Sequence, residues 1–214
     1  MRVFVLCLMS IPNYFEFFSL PRKLNVDTAA LEKAFYAQSR KLHPDRFASK
    51  PAAEQEAALE QASQLNDAYR TLKEPIARTE YLLSLEGVQM EEQSRAATDA
   101  ARATNTAKKQ VAPPELLDEA FELNMQREEM RMNRKMGEDD PQLTKDLNAA
   151  KANFEGMLAA AQSELEKLWN AWDAAVDADD SAAKDAAKAA MVALLNRRSY
   201  IRNLVRDVNE ALEP

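Results

Sequence analysis

Cysteine, histidine and glycine are nearly missing from this sequence of 214 residues. The single cysteine, Cys7, excludes a disulfide framework, and the single histidine, His43, leaves too few ligands for a structural zinc site. A reducing, cytoplasmic setting fits that usage, and no metal or other cofactor is expected. Only three glycines are present, Gly87, Gly137 and Gly156, which argues against a sheet rich in tight turns. Alanine, leucine, glutamate and lysine dominate instead, the composition of long helices, so the expected class is all-α. Long apolar runs are also missing. The longest, Val3 to Met9, falls far short of the roughly 20 residues that span a bilayer, so no membrane partner is expected. With Arg2 in front it loosely resembles a signal peptide, but it lacks a small-residue cleavage site. Residues 1–9 are therefore read as an apolar extension from a miscalled start, with Met9 the true initiator. A basic excess is absent too. The net charge is −7, and residues 1–90 carry 11 basic and 11 acidic groups, so the whole deficit lies after them. An acidic surface repels phosphate backbones, which excludes nucleic acid as an expected partner.

What is present reads as helices with clear boundaries. Residues 13–20 form a short aromatic segment that stops at Pro21. Asp27 and Thr28 offer N-cap oxygens to a helix running to about Leu42, with Leu31, Ala34, Phe35 and Leu42 on one face. A residue before proline is pushed out of the helical region, so His43-Pro44-Asp45 should sit in a loop. Pro51 suits the first turn of a second helix, whose Ala58, Ala62, Leu65, Tyr69 and Leu72 can pack on the first. Pro75 opens a shorter helix through Leu85, and Gly87 suits its C′ position. Residues 89–112 carry no sustained apolar stripe and read as a linker; Pro113-Pro114 restarts order. Three further helices are expected at about 115–136, 142–176 and 180–212. Their three- and four-residue apolar steps are those of an antiparallel three-helix bundle. The expected organisation is an extension (1–9), a helical hairpin domain (10–88), a linker (89–114) and the bundle (115–214). Trp169, Trp172 and Phe154 are read as bundle core.

Two places invite a functional reading. His43-Pro44-Asp45 read alone is a turn, in which proline ends a helix and aspartate accepts backbone hydrogen bonds. Charge adds to it: Lys33, Arg40, Lys41, Arg46 and Lys50 surround the loop against one acid, Asp45, between residues 33 and 50. Such a face gives long-range attraction to an acidic partner. In the first bundle helix, Leu116, Ala120, Leu123 and Met130 make one apolar face. Leu117, Phe121, Met125 and Met132 make another, about 100° around, with Glu122, Glu128 and Glu129 beside it. A helix in a three-helix bundle needs one buried stripe. The second is either a broader core contact or a docking surface.

The string Leu42-His43-Pro44-Asp45-Arg46-Phe47, followed by Leu65-Asn66-Asp67-Ala68-Tyr69-Arg70-Thr71-Leu72-Lys73-Glu74-Pro75, resembles the J-domain signature. Asn13-Tyr14-Phe15-Glu16, Glu80-Tyr81-Leu82-Leu83, Pro114-Glu115-Leu116-Leu117 and Arg127-Glu128-Glu129 narrow the resemblance to HscB, the J-protein family of iron–sulfur cluster assembly. The likeness runs from Asn13 to Leu212; the Val3 to Met9 extension and residues 89–112 have no counterpart, and the Gly/Phe-rich and Cys-rich regions of general J-proteins are missing. The resemblance implies a non-enzymatic co-chaperone. Its Asp45 engages an arginine of a DnaK/HscA-class chaperone and helps trigger ATP hydrolysis there, with His43, Pro44, Lys33, Arg40, Lys41 and Arg46 in the same contact. It also implies that Leu117, Phe121, Glu122, Met125, Glu128, Glu129 and Tyr200 hold an IscU-type iron–sulfur scaffold protein. The alternatives are a J-protein of a general DnaK chaperone with other clients, a metal hydrolase using His43 and Asp45, and a coiled-coil adaptor. One histidine makes the hydrolase poor, and an adaptor leaves the His-Pro-Asp loop unexplained.

Overall fold

Local signals set each helix of the computed structural model, which describes residues 13–88 and 113–213. The expected extension at 1–9 and the linker at 89–112 lie outside the described residues. Among the described residues every regular element is helical. The helices are α1 (Tyr14–Phe17), α2 (Thr28–Lys41), α3 (Ala52–Lys73), α4 (Pro75–Leu85), α5 (Leu117–Met136), α6 (Pro141–Asp177) and α7 (Ser181–Leu212). Two 3-10 turns, Pro44–Arg46 and Pro114–Leu116, complete the list. No described helix is long and apolar enough to cross a membrane.

The caps explain the boundaries. The Asp27 carboxylate accepts from the amides of Ala29 and Ala30, both at 3.0 Å, and so starts α2. Glu74 ends α3 in an extended conformation and at once caps α4, accepting from Ala77 N–H at 2.7 Å. Gly137 closes α5 at φ 72°, a left-handed conformation that glycine adopts without a Cβ clash.

The described residues form two compact units, 13–88 with Trp169–Lys184, and 113–168 with 185–213. In the first, α2 and α3 pack as a hairpin, with α1 and α4 also against α3. Phe15, Leu24, Leu31, Leu65, Leu72, Leu82 and Leu83 are its buried core. The Phe35 and Tyr69 rings stack across the hairpin at 4.2 Å, and Tyr14 stacks on Tyr81 at 4.4 Å.

Residues 169–184 correct the reading of the two tryptophans. The Trp169 indole N–H donates to Thr79 Oγ1 at 2.9 Å, and the Arg78 guanidinium lies over its ring at 4.9 Å. Trp172 Nε1–H donates to the Arg22 carbonyl at 3.2 Å. Next to Trp172 in the chain, the buried Asp173 carboxylate accepts from the Leu24 and Asn25 amides at 2.8 and 3.0 Å and from the Asn25 side chain at 2.8 Å. Both tryptophans fill the first unit, not the bundle core: the turn at 22–25 takes a donor and apolar cover from Trp172 and acceptors from Asp173, and Trp169 packs on Arg78 and Thr79. Phe154 is in the second unit's core, as expected, with Leu116, Ala120, Leu123, Met130, Leu143, Leu147, Ile201, Leu204, Val208 and Ala211.

Candidate functional site

The first candidate is the turn between α2 and α3. Pro44 makes the last α2 residues turn out of the helix, and the tripeptide winds into one 3-10 turn with His43 as its N-cap. His43 Nδ1 accepts from the Asp45 amide at 3.3 Å. The Asp45 carboxylate is 3.4 Å from the same ring, and its side chain is 89% exposed. The fold thus holds the aspartate's backbone while leaving its charge in water. Arg46 reaches back to the Arg40 carbonyl at 3.4 Å. Gln55, from the first turns of α3, donates to the carbonyls of Lys50 at 2.8 Å and Ala48 at 3.5 Å. Both ends of the turn are therefore fixed.

Lys33, Arg40, Lys41, Arg46 and Lys50 are all exposed around it. On α2, Lys33 and Arg40 lie on the side opposite the buried Leu31, as 100° per residue requires. Tyr36 joins them on that side, 54% exposed. Sequence reasoning missed it, although its phase, about 40° from Arg40 and about 140° from the buried Leu31, was the available signal. The turn and the cations form an electropositive face from which the Asp45 carboxylate protrudes, with Glu54 of α3 4.0 Å from Lys50 at its edge. Such a face can steer an acidic protein surface and then make one short-range polar contact. It holds no nucleophile–base pair, and among the described residues no group of three or more His, Cys, Asp or Glu side chains could hold a metal ion.

The second candidate is α5. Leu117, Phe121, Met125, Met132 and Met136 are 52, 69, 61, 47 and 59% exposed, whereas Leu116, Ala120, Leu123 and Met130 are at most 8% exposed. The two stripes separate as periodicity required, one in the core and one in water. Glu122, Glu128 and Glu129 are exposed beside the outer stripe, and Glu128 pairs with Arg131 at 2.7 Å. Tyr200 on α7 is half-buried and packs against the bundle core. Burial, with the Asp207 charge adding to it, holds its phenol above the ordinary value of 10.0. Met136 extends the stripe by one turn beyond the residues singled out from sequence.

Comparisons with known proteins bear on the amino-terminal region in sequence and on most of the chain in fold. The profile described as DnaJ domain matches residues 13–81. A co-chaperone protein HscB homolog from Vibrio cholerae is 47% identical over 78 residues, 36% of this chain and 46% of that protein. A second from Aeromonas hydrophila is 44% identical over 89 residues, 42% of this chain and 52% of that protein. The chain's matches thus span about half the length of these curated relatives. In three dimensions the likeness is longer. The structure of chaperone HscB from Vibrio cholerae matches with a TM-score of 0.57 and 27% identity, over 93% of this chain and 96% of that one. Human co-chaperone protein HscB shares the fold, with a TM-score of 0.54 and 23% identity over 93% of this chain and 81% of that one. Residues 13–81 match the DnaJ domain, and the chain that carries them is similar in sequence over that part, and in fold over most of its length, to HscB co-chaperones.

Proposed function

We propose that this protein is a J-type co-chaperone that stimulates the ATPase of a DnaK/HscA-class chaperone and delivers an IscU-type iron–sulfur scaffold protein to it. The observation that carries the reading is the His43-Pro44-Asp45 turn, its backbone tied down and its carboxylate left in water within a basic face. The basic residues Lys33, Arg40, Lys41 and Arg46 draw in an acidic surface of the chaperone, and Asp45 offers its charge to an arginine there. A charge-assisted contact of that kind is strong only once water is displaced, so it acts after steering has aligned the two proteins. The outer stripe of α5, Leu117, Phe121 and Met125 with Glu122, Glu128, Glu129 and Tyr200, is the surface offered to the scaffold. Apolar side chains of that size left in water stabilise a complex when a partner covers them.

A single-turnover ATPase assay with the chaperone partner tests the first half. Asp45→Ala and His43→Gln should each remove stimulation while changing stability by under about 0.5 kcal/mol, the usual cost at an exposed turn. Full stimulation by Asp45→Ala would end the assignment.

A further inference from the structure

The exposed stripe of α5 is bordered by unlike charges. Turning one way around the helix come Arg131, then Arg127 and Arg134; turning the other way come Glu129, Glu122 and Glu119. On the first side a groove of about 600 Å³ opens between α5 and the end of α7, lined by Arg127, Arg131, Arg134 and Lys135 against the carboxylates of Glu128 and Glu210. On the second side a smaller groove of about 300 Å³, shared with α6, is lined by Glu119, Glu122 and Asp146 with no cation. Four cations around one groove are unexpected in a chain of net charge −7.

Two of these cations hold the bundle together. Arg127 pairs with Asp207 at 3.3 Å and Glu210 at 3.9 Å, and Arg134 donates to the Ala211 carbonyl at 2.7 Å, capping the negative end of α7. The other two are not used in this way. Arg131 meets only its helix neighbour Glu128, with both side chains mostly in water, and Lys135 has no ionic partner among the described residues. Their charge is available to a ligand, and Lys135 lies at the edge of the exposed stripe itself.

We infer that the partner docking on the α5 stripe carries a carboxylate-rich segment beside its apolar contact, and that this segment seats in the groove between α5 and α7. The inference rests on the reading of that stripe as the scaffold surface. The groove runs on from the stripe along the same helix, so one bound partner covers both. The acidic groove on the opposite side repels the same segment, so the pair of grooves fixes which way round the partner lies. Charge arranged in this way sets orientation and association rate more than total affinity.

The test compares wild type with Arg131→Gln/Lys135→Gln and with Leu117→Ala/Phe121→Ala, each first shown by thermal melting to be folded. Two probes are titrated at about 0.05 and about 0.5 M salt, where screening lengths differ severalfold. One is the iron–sulfur scaffold protein and the other a fluorescein-labelled decaglutamate peptide. The groove variant should bind scaffold about tenfold more weakly at low salt and lose most of the salt dependence. The stripe variant should bind scaffold weakly at both concentrations and keep the wild-type ratio between them. Decaglutamate should bind wild type and the stripe variant equally, and the groove variant poorly. Wild-type scaffold affinity and salt dependence in the groove variant would overturn the inference while leaving the stripe reading intact. Wild-type affinity in the stripe variant overturns the stripe reading instead, and decaglutamate still decides the groove. No decaglutamate binding to wild type, or its displacement by inorganic phosphate or a short DNA duplex at equal charge concentration, overturns the acidic-peptide assignment.

Discussion

Phe121→Ala combined with Met125→Ala separates a docking surface from a core more sharply than any other change in this protein. Phe121 and Met125 keep 69% and 61% of their surface in water, while Leu123, half a turn away on the same helix, keeps 2%. Truncating a fully buried leucine costs about 2–5 kcal/mol, through lost transfer energy and the cavity left behind. The outer pair has little apolar cover to lose and no cavity to leave. Its removal should cost under about 0.5 kcal/mol per residue, and alanine's higher helix propensity offsets part of that. Against a chaperone client the order reverses. Exposed aromatic and thioether anchors that become covered on binding contribute about 1.4 kcal/mol or more each, which is tenfold in Kd. Urea denaturation of the double variant and of Leu123→Ala, alongside calorimetric titration with the scaffold, reads both quantities. The double variant should unfold at nearly the wild-type midpoint and bind at least a hundredfold more weakly, and Leu123→Ala should lose stability. ATPase stimulation without scaffold should be unchanged in the double variant, since the His43-Pro44-Asp45 turn belongs to the other unit. A double variant that unfolds as easily as Leu123→Ala would refute the reasoning, because the stripe would then be core.

Asp173→Ala should destabilise the first unit by about 3 kcal/mol. It leaves the Leu24 and Asn25 donors unpaired at a partly buried site. In a chain of this size that lowers Tm by roughly 6–12 °C by scanning calorimetry; a shift under about 2 °C would contradict it. Alkaline stability follows from the phenols. Burial holds Tyr81 and Tyr200 above 10.0 in the folded protein, so the folded state keeps those protons longer. Their contribution is complete below pH about 10 and is lost as pH rises through the raised values. Tyr200→Phe, which keeps the packing, should flatten part of the fall in unfolding free energy as pH rises above about 10, and an unchanged slope would refute it.

Much of the fold and of both surfaces was legible because helices report their own burial. Leu31 and Phe35 share one phase on α2, Leu65 and Leu72 share one on α3, and Asp27, Pro44, Pro75 and Gly137 mark ends by backbone rules that need no tertiary context. The exposed stripe on α5 was legible for the same reason, since a bundle helix has room to bury only one face. Tyr36 and the groove cations were harder. A single exposed aromatic, or lysines and arginines near the end of a helix, look like ordinary surface until the neighbouring helix is in place. Arg131 and Lys135 acquire meaning only when α7 brings Glu210 and Ala211 to the other wall of the groove.

Periodicity tells which side of a helix is buried and nothing about what buries it. Trp169 and Trp172 continue the apolar phase of α6 without a break, so they read as bundle core. Yet they pack within the unit that holds α1 to α4. Asp173 carries that limit further. An aspartate between an apolar pair looks like a solvated residue, and its partners lie 148 and 149 residues away. Its place in the fold has a consequence for the first candidate site. Trp172 holds the Arg22 carbonyl, Asp173 holds the amides of residues 24 and 25, and two residues later Asp27 caps α2. The helix that bears Lys33, Tyr36 and Arg40, and that ends at His43-Pro44-Asp45, therefore starts from a segment anchored by residues 169–184. A fragment cut at the end of α4 keeps every residue of the DnaJ match but loses those anchors. The local motif is thus sufficient to identify the turn, whereas the stability of the unit that presents it depends on side chains far along the chain.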